Sequence, residues 1–507
     1  MGAAFFLCGC QSDFSPLPGR DVRSYQSILE WTHSNGMPGT VLLVKSPTVN
    51  FIGSIGLADV DRGVPMRADH AFRIGSVTKT FLGIVAAQMQ AEGKLHSEEF
   101  LGAYLPDSIT DRIQFSDRIS VRHLLRHQSG IYGFDDDWKY EVSRWLLHRY
   151  EPWPPLRMLE FSFDRPARFE PGDAFSYSNP NYILLGMIVD RVTGGHHSAE
   201  IRKRILEPLN LKSTYYELNE GARGELAHGY EHLHGFRDTR DWTPVTGGSA
   251  GLVSTVSDLA VFIRAVVGTN SFLDEGTRRV LKAEPEPGLH LAEAAGRPVV
   301  RYDFGVDPQR AKTGLPWFYG HRGVSAGYIC GAWHEPKNDI TIVYFGNSAQ
   351  FQIFNSMKRS WRFFGRLEEA LIEQALADVN GGVRPAALAD YTERKGSDLQ
   401  GAWTGILGSG LWPFSSLRLN VRITEPPAGN FVGELDIVEE AANCQPLLVS
   451  YKQPNVELAI RSGAGKFEGK LNSTRTEMTG RWIQAGRATR MTFKRTTGQV
   501  LTPAFER

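Results

Sequence analysis

Ser76 and Lys79 stand three residues apart at the start of an apolar run, and they are the first candidates for chemistry in this chain. On a helix, positions i and i+3 share a face, so the lysine amine would reach the serine hydroxyl. A serine hydroxyl is a poor nucleophile until a neighbouring base takes its proton. Burial lowers the pKa of a lysine and makes its neutral amine available for that task. The spacing therefore predicts Ser76 as an acyl-transfer nucleophile and Lys79 as its base.

A helix must hold this pair, and the residues after it have helical spacing. The apolar positions that would bury the helix are Phe81, Ile84, Val85 and Met89. The dipeptide at 92–93 predicts the helix end, because Gly93 accepts a left-handed cap. Segments 39–44 and 51–56 are predicted to form a β-hairpin ahead of the helix. A serine at the start of this helix would also lie beside unpaired main-chain N–H groups, which could bind a developing oxyanion.

Composition limits the alternatives. The chain has 507 residues, 41% of them hydrophobic, which is enough for two or more folded domains. Lysine plus arginine balances aspartate plus glutamate at 56 each, so no nucleic acid partner is indicated. The four cysteines have neither metal-site nor disulfide-scaffold spacing. We therefore expect no structural metal.

The first residues contain the motif Leu7-Cys8-Gly9-Cys10, which resembles a bacterial lipobox. No basic segment precedes it, and the apolar stretch is shorter than in a normal signal peptide. Two interpretations stay open: a lipid anchor at Cys10 of a periplasmic or cell-envelope protein, or a chance match in a cytoplasmic one. No later segment approaches the ~18 apolar residues that a membrane-spanning helix needs.

Alone, Ser-x-x-Lys is a weak signal that a solvated helix would explain equally well. Further blocks strengthen it, at residues 72–81, 119–130, 169–179, 247–255 and 321–323. In this order they resemble the serine beta-lactamase-related hydrolase family, which includes class C beta-lactamases, DD-peptidases, D-aminopeptidases and family VIII esterases. The resemblance covers roughly residues 35–350.

The resemblance implies roles for particular residues. Ser76 and Lys79 match the family's Ser-x-x-Lys motif, and Tyr177 and Asn179 match its Tyr-x-Asn motif. Beside a protonated lysine the phenolate of Tyr177 would be stabilised, so this side chain could relay protons between serine, leaving group and water. Asn179 supplies a neutral amide that could orient Lys79 and bind a substrate carbonyl.

The third family motif is matched by residues 321–323. His321 and Gly323 would lie on a strand beside the nucleophile, and the resemblance implies an oxyanion hole made by the main-chain N–H groups of Ser76 and Val324. A rival motif, Lys312-Thr313-Gly314, has the lactamase spelling, but Pro316 follows it and is poorly placed in a central strand. We therefore assign the motif to His321. In related enzymes, a histidine here is typical of peptidases, so true lactamase activity is disfavoured.

His123 and His127 have the i, i+4 spacing of a metal pair. No third ligand is near in sequence, and no glutamate stands between them as in a metalloprotease. They also lie in the block at 119–130. We interpret both as structural residues.

The predicted fold is α+β: an antiparallel sheet flanked by helices, followed by an antiparallel β-barrel. The resemblance implies that an all-helical lobe is inserted near residues 130–165. From residue 401 onward apolar and polar residues alternate over eight short strands, which predicts a closed barrel similar to a lipocalin. The predicted division is a leader at 1–20, a catalytic domain at 21–379, a linker at 380–398 and the barrel at 399–507. A packed accessory barrel, which could make the protein a homo-oligomer, is favoured over a ligand-carrying one.

The sequence thus predicts a hydrolase that uses Ser76, Lys79 and Tyr177 on a small peptide, amide or ester substrate. It would need no metal and no organic cofactor. Three alternatives remain: a penicillin-recognising sensor that is acylated with little turnover, a weak beta-lactamase, and an inert scaffold. The three intact motifs argue against the last.

Overall fold

The computed structural model describes residues 24–134, 137–231, 237–268, 272–282, 306–309, 316–349, 356–381, 399, 401–408, 416–424, 432–437, 442–452, 454–460, 466–484 and 487–495. The predicted leader with Cys10, the segment around Lys312 and nearly all of the predicted linker at 380–398 lie outside these residues. Within them, no helix has both the length and the apolar character needed to cross a membrane.

The first part of the chain is built on a seven-stranded sheet. Its strands and those of two small sheets are β1 (Gly39–Lys45), β2 (Asn50–Asp59), β3 (Val64–Pro65), β4 (Phe72–Arg73), β5 (Tyr215–Tyr216), β6 (Tyr230–Glu231), β7 (Arg237–Asp238), β8 (Leu252–Ser254), β9 (Asp307–Gln309), β10 (Phe318–Ser325), β11 (Tyr328–Glu335) and β12 (Ile340–Gly346). The large sheet has the order β3-β2-β1-β12-β11-β10-β9, and all its neighbours are antiparallel.

Helices cover this sheet. They are α1 (Tyr25–Ser34), α2 (Thr78–Ala91), α3 (Asp107–Thr110), α4 (Val121–Leu125), α5 (Trp138–Glu141), α6 (Pro155–Leu159), α7 (Asn179–Thr193), α8 (His197–Ile201), α9 (Val256–Val267), α10 (Glu275–Lys282) and α11 (Ser356–Val379). Turns of 3-10 helix occupy Gly75–Val77 and Leu101–Ala103, and π-helical turns occupy Val142–Leu147 and Arg202–Leu206. The predicted α+β architecture with a helical insertion is confirmed.

Alternation along the central strands gives the sheet two apolar faces. In β1, Val41 packs into the core that contains α2, whereas Leu42 packs into the core that contains α1 and α11. In β12, Val343 and Ile342 divide in the same way. Because successive side chains in a strand point to opposite faces, strands buried on both sides need apolar residues at every position. The sheet therefore lies between two helical layers.

Helix α2 runs through the larger core, and its residues 78–87 and Met89 are all buried. The ring of Phe81 stacks on Phe262 of α9, with centroids 3.5 Å apart. The helix ends at Ala91, and Gly93 follows with a φ of 71°. The predicted helix and its glycine stop are confirmed. The start differs from the prediction, because Ser76 lies in the 3-10 turn and α2 begins at Thr78.

The second part of the chain is a barrel. Its strands are β13 (Gly401–Gly408), β14 (Ser416–Thr424), β15 (Val432–Ile437), β16 (Ala442–Lys452), β17 (Asn455–Ile460), β18 (Lys466–Leu471), β19 (Glu477–Gln484) and β20 (Arg487–Arg495). Each strand pairs with the next, and β20 returns to β13 through the pairing of Phe493 with Gly405. The predicted eight-stranded closed barrel is confirmed.

Buried apolar side chains form a core in the described part of the barrel. Thirteen buried residues form one cluster: Leu399, Trp403, Leu419, Val421, Ile423, Val456, Leu458, Phe467, Leu471, Met478, Trp482, Met491 and Phe493. A small barrel packed in this way is held by its own core. The preference for a packed accessory barrel over a ligand-carrying one stays a prediction.

Candidate active site

Ser76 lies where the turn before α2 touches strand β10. Gly75 has a φ of 47°, and a β-carbon on it would stand 2.3 Å from the carbonyl oxygen of Val324. In return, a β-carbon on Gly323 would stand 2.0 Å from the carbonyl oxygen of Ile74. No side chain fits in either place, so both positions need glycine. This backbone contact sets Ser76 against the strand that carries the third motif.

Arg73 anchors the other side of the turn. Its guanidinium donates to both carboxylate oxygens of Glu217, at 2.8 and 2.9 Å. It also donates to the main-chain oxygens of Thr239 and Arg240. A buried guanidinium is stable only when its donors are satisfied. The strand that leads into Ser76 is therefore fixed at its end.

Lys79 is fully buried and extends toward three oxygen atoms. Its Nζ lies 3.0 Å from Ser76 Oγ, 2.5 Å from Asn179 Oδ1 and 2.8 Å from the carbonyl oxygen of Ser249. An ammonium group has three protons, so these acceptors can take all of them. All three acceptors are uncharged and stabilise the ammonium less than a carboxylate would. The structure thus brings together the predicted Ser76, Lys79 and Asn179.

Tyr177 forms the solvent-facing wall of this group. Its ring centroid is 5.0 Å from Lys79 Nζ, and 37% of the residue is exposed, so a substrate can reach it. The ring also lies 4.4 Å from the imidazole of His127 and 6.1 Å from that of His321. The predicted Tyr177 therefore stands beside the Ser76 and Lys79 pair.

His127 supports the turn that carries Tyr177. Its Nδ1 lies 3.2 Å from the main-chain nitrogen of Ser178 and 3.0 Å from Nδ2 of Asn181. Because both neighbours are donors, Nδ1 is an acceptor and the ring is neutral. Burial first, and then the charge of Lys79, hold the pKa of His127 well below its usual value. The imidazole thus serves the Tyr-x-Asn turn through its Nδ1 atom.

His123 has a different local task. Its Nδ1 accepts from the main-chain nitrogen of Ser120, and the Ser120 hydroxyl accepts from the main-chain nitrogen of His123. This reciprocal pair is a capping box at the start of α4. The described contacts therefore give the Nδ1 atoms of His123 and His127 separate structural roles.

His321 on β10 is the third group near Lys79. Burial first, and then the charge of Lys79, lower the pKa of His321 to about 3. The imidazole is therefore neutral at physiological pH. Its Nδ1 contacts the carbonyl oxygen of Arg322. His321 thus offers the site a polar ring without a charge.

Gly323 and Val324 complete the motif strand, where they pair with Cys330 and Ile329. The main-chain nitrogen of Val324 lies 2.8 Å from the point that a β-carbon on Gly75 would occupy. This nitrogen is thus close to the turn of Ser76. The expected use of the Ser76 and Val324 N–H groups as an oxyanion hole stays a prediction. The choice of His321 over Lys312 also stays one, because Lys312 lies outside the described residues.

Sequence reasoning missed the carbonyl group of Ser249. The residue lies in a loop with three positive-φ glycines, Gly247, Gly248 and Gly251. Glycine clusters allow such backbone conformations, and these place the carbonyl oxygen on Lys79. The block Gly-Gly-Ser-Ala-Gly was visible in the sequence, but a carbonyl direction cannot be inferred from residue types.

In the part of the chain that the structure describes, one group has the composition of a metal site: Asp190, His196 and His197. Its side chains already take part in hydrogen bonds. His197 Nδ1 lies 2.9 Å from Asp190 Oδ1, and His197 Nε2 lies 2.9 Å from the hydroxyl of Tyr216. The two ring nitrogens of His197 are thus engaged within the protein.

The fold and the site together define a class of protein. A sheet between two helical layers presents Ser76, in the turn before a central helix, and the buried Lys79 of that helix, with a tyrosine and an asparagine beside them. The Beta-lactamase family model matches residues 26–362, and the chain belongs to this family.

The chain is also similar to individual proteins. The chain is 24% identical over 321 residues to a protein of Escherichia coli K12 named "Putative D-alanyl-D-alanine carboxypeptidase", covering 57% of this chain and 71% of that protein. It resembles the D-amino acid amidase of Ochrobactrum anthropi SV3 with 25% identity and a TM-score of 0.57, over 70% of this chain and 97% of that one. An octameric penicillin-binding protein homologue from Pyrococcus abyssi has 20% identity and a TM-score of 0.55, over 92% of this chain and 98% of that one, which bears on the fold alone.

Proposed function

We propose that the protein is a serine hydrolase that forms an acyl-enzyme on Ser76 from an amide or ester substrate. The observation that carries this proposal is the 3.0 Å contact of Nζ of the buried Lys79 with Ser76 Oγ. A hydroxyl at hydrogen-bond distance from a base can lose its proton as it attacks a carbonyl carbon. No metal ion enters these steps.

In the acylation step, Ser76 Oγ would bond to the substrate carbonyl carbon while its proton passes to the neutral amine of Lys79. The carbonyl oxygen would become an oxyanion near the N–H groups of Ser76 and Val324. The bond to the leaving group then breaks, and the leaving amine or alkoxide takes a proton relayed by Tyr177. The acyl group remains on Ser76 as an ester.

Deacylation would repeat these steps with water. Water attacks the ester carbon and gives a proton to the base formed by Lys79 and Tyr177. Ser76 leaves and recovers its proton, and the acid product departs. Since Tyr177 is the most exposed of the three, it is the group that water and the leaving group can both reach. Asn179, which contacts Lys79, would orient the amine and bind the substrate carbonyl.

The substrate class that we infer is of the D-amino-acid peptidase or esterase type. The names of the relatives, a carboxypeptidase and a D-amino acid amidase, support it. The neutral ring of His321 supports it further, because a cationic lysine would suit the carboxylate of a beta-lactam better than this imidazole does. Esters fit the same acyl-enzyme route because they differ only in the leaving group.

The test uses the full-length protein and a fluorophosphonate probe. Mass spectrometry should find the adduct on the peptide that contains Ser76, and Ser76→Ala should abolish it. Ser34→Ala, at the exposed end of α1, is the matched control and should label normally. Hydrolysis of p-nitrophenyl acetate, of a D-alanyl p-nitroanilide and of a beta-lactam panel then ranks the substrates. Normal turnover by folded Ser76→Ala would disprove the proposal.

Lys79→Ala tests the role of the base separately from the role of the nucleophile. The variant retains the serine but loses the amine, so labelling and turnover should slow by orders of magnitude. Rapid acylation by penicillin with negligible turnover in the unmodified protein would instead identify a penicillin-recognising sensor.

A further inference from the structure

A chain of three side chains runs from the end of α7 toward the active site. Asp190 accepts from both the main-chain nitrogen and Nδ1 of His197, the first residue of α8. His197 Nε2 lies 2.9 Å from the hydroxyl of Tyr216 on β5. His197 and Tyr216 are fully enclosed, whereas the Asp190 side chain is one-third exposed. Two buried polar side chains are thus linked to one carboxylate near the surface.

Asp190 fixes the orientation of the His197 ring. The carboxylate of Asp190 can only accept, so Nδ1 of His197 is the donor. Nε2, on the opposite side of the ring from Asp190, lies 2.9 Å from the Tyr216 hydroxyl. Burial raises the pKa of Tyr216 above its usual range, which keeps the phenol protonated. Its oxygen therefore remains available to accept hydrogen bonds from the backbone.

The Tyr216 hydroxyl holds the loop at residues 247–251. It accepts from the main-chain nitrogens of Gly247 and Gly248, both at 3.1 Å, and donates to the carbonyl oxygen of Ala250 at 3.0 Å. Gly251 packs on the same ring, because a β-carbon there would stand 2.6 Å from Tyr216 Cζ. One phenol oxygen thus contacts the backbone on both sides of residue 249.

Ser249 stands between those contacts, and its carbonyl oxygen accepts from Lys79 Nζ at 2.8 Å. The loop adopts positive-φ conformations that persist only where the surroundings hold them in place. Tyr216 supplies that support. The Ser249 carbonyl oxygen, which accepts from the proposed base Lys79, is therefore held in place by the Tyr216 hydroxyl. His197 in turn orients that hydroxyl.

A metal ion is the competing explanation for Asp190, His196 and His197. A zinc site would need three free ligand atoms directed at one point. His197 Nδ1 and Asp190 are bonded to each other, and Nδ1 of His196 accepts from the main-chain nitrogen of Ser198 at 3.1 Å. The imidazoles of His196 and His197 are stacked, with centroids 4.0 Å apart. This geometry favours the hydrogen-bonded chain.

We propose that Tyr216, oriented by His197 and Asp190, is a positioning residue that holds the Ser249 carbonyl oxygen on Lys79. The consequence for catalysis rests on the proposed function, whereas the consequence for the loop does not. The experiment therefore has a structural arm and a kinetic arm.

The structural arm is hydrogen exchange followed by mass spectrometry on the unliganded full-length protein. Tyr216→Phe leaves the N–H groups of Gly247 and Gly248 without their acceptor. We expect exchange in the peptide that covers residues 245–252 to rise at least about tenfold. Tyr215→Phe is the matched control on the same strand, because its ring packs in a separate cluster with Ala71 and Val253. It should leave this peptide unchanged.

The kinetic arm measures kcat/KM for p-nitrophenyl acetate against pH. The groups that face Lys79 are Ser76, Asn179, the Ser249 carbonyl, the rings of Tyr177 and Tyr182, and the imidazoles of His127 and His321. Removing the carbonyl contact takes away an acceptor that favours the ammonium form. Tyr216→Phe should therefore move the acid limb of kcat/KM to lower pH, because neutral Lys79 forms more readily. It should also lower kcat/KM at least about tenfold above the limb, because the amine is held less firmly on Ser76. A general loss of folded protein would lower the amplitude without moving the limb.

A pair of variants at His197 keeps the proposal testable if Tyr216→Phe does not fold. His197→Gln retains a polar group toward Tyr216 and should keep at least about a third of kcat, whereas His197→Leu should behave like Tyr216→Phe.

Unchanged loop exchange in folded Tyr216→Phe or His197→Leu would overturn the proposal, and so would an unmoved acid limb. Loss of wild-type activity on EDTA treatment, restored by Zn²⁺, would overturn it in favour of a metal site. Failure of the wild-type protein to label at Ser76 would refute the proposed function and this catalytic consequence, while the exchange result would still decide the structural part.

Discussion

Arg322 and Glu368 form an ion pair on the face of the sheet opposite Ser76. The guanidinium of Arg322, next to His321 on β10, donates to Glu368 of α11 from Nε at 3.0 Å and also from Nη2. The same carboxylate accepts from Trp333 Nε1 at 3.1 Å and from the Tyr344 hydroxyl at 2.7 Å. Strand β10 thus directs His321 toward the active site and Arg322 toward α11, which covers the opposite face of the sheet.

Glu368→Ala should destabilise the protein strongly. The substitution leaves the Arg322 guanidinium, the Trp333 indole and the Tyr344 hydroxyl without this buried acceptor. Removing one partner of a buried pair typically costs about 3–5 kcal/mol. Urea unfolding followed by tryptophan fluorescence measures the loss. Glu99→Ala, at an exposed position, is the control and should change stability by less than about 0.5 kcal/mol. Equal stability of the two variants would contradict the importance of this pair.

Gly75→Ala should damage the site more than its backbone strain alone explains. Gly75 and Gly93 have positive φ values of 47° and 71°, but only Gly75 is crowded: a β-carbon on Gly93 would meet nothing within 4 Å. Gly93→Ala should cost about 1–2 kcal/mol of stability and leave kcat/KM intact. Gly75→Ala should also push β10 away and lower kcat/KM by about a hundredfold or more, equal to ~2.7 kcal/mol. Comparable activity in both variants would show that the contact with Val324 does not matter.

The choice between two third motifs can be tested by a pair of substitutions. His321→Ala should lower kcat/KM at least about tenfold, roughly 1.4 kcal/mol of transition-state stabilisation. Lys312→Ala should change it by less than about threefold, since that residue is assigned no role. The reversed result would make Lys312-Thr313-Gly314 the motif and restore the lactamase interpretation.

His321 should also make the fold sensitive to acid. Its pKa is about 3 in the folded protein, against a usual 6.5, so the unfolded chain takes up the proton first as the pH falls. Above pH 6.5 the His321 ring is neutral in both the folded and the unfolded chain. As the pH falls from 6.5 toward 3, only the unfolded chain takes up the proton, and this lowers the free energy of unfolding. Between pH 7 and pH 5 this amounts to about 2 kcal/mol at most. His321→Gln should lose correspondingly less stability over this interval, measured by urea unfolding at both values. The exposed His96→Gln variant should lose as much as the wild type.

The barrel can be tested by truncation. All the proposed catalytic groups lie before residue 350, so residues 21–380 should fold and hydrolyse small activated esters. Activity on bulky substrates or the mass in solution should change, because the barrel could limit access or join subunits. A soluble, folded truncation without small-ester activity would show that the barrel contributes to the site.

Where burial follows a simple period, the sequence was sufficient. The eight barrel strands were predictable because inward residues such as Val456 and Leu458 alternate with exposed ones such as Glu457. The hairpin of β1 with β2 was predictable for a similar reason, since two apolar segments flank a short polar turn. The contact of Ser76 with Lys79 was predictable because three-residue spacing brings two side chains together in both a 3-10 turn and an α-helix. For the same reason, the spacing could not show that Ser76 lies in a 3-10 turn rather than in the α-helix.

Contacts that depend on backbone direction or on distant segments were not predictable. The Ser249 carbonyl is 170 residues from Lys79, and its role comes from a glycine-rich loop rather than from its side chain. Tyr216 acts through an oxygen that contacts peptide groups about thirty residues away. The same limit applies to the pairing of Arg322 with Glu368, because charged residues on strands and helices usually face solvent.

The pairing of β1 with β12 constrains how this protein can be made. Gly39 N–H donates to the Asn347 side chain across 308 residues of chain, at the end where the two central strands meet. During synthesis, β12 leaves the ribosome only after nearly the whole catalytic part of the chain. Until then the hairpin of β1 and β2 keeps one unpaired edge and two apolar faces. Closing such a long loop slows folding, and an exposed edge strand invites pairing with other chains. We expect the nascent chain to depend on chaperones more than its folded form would suggest.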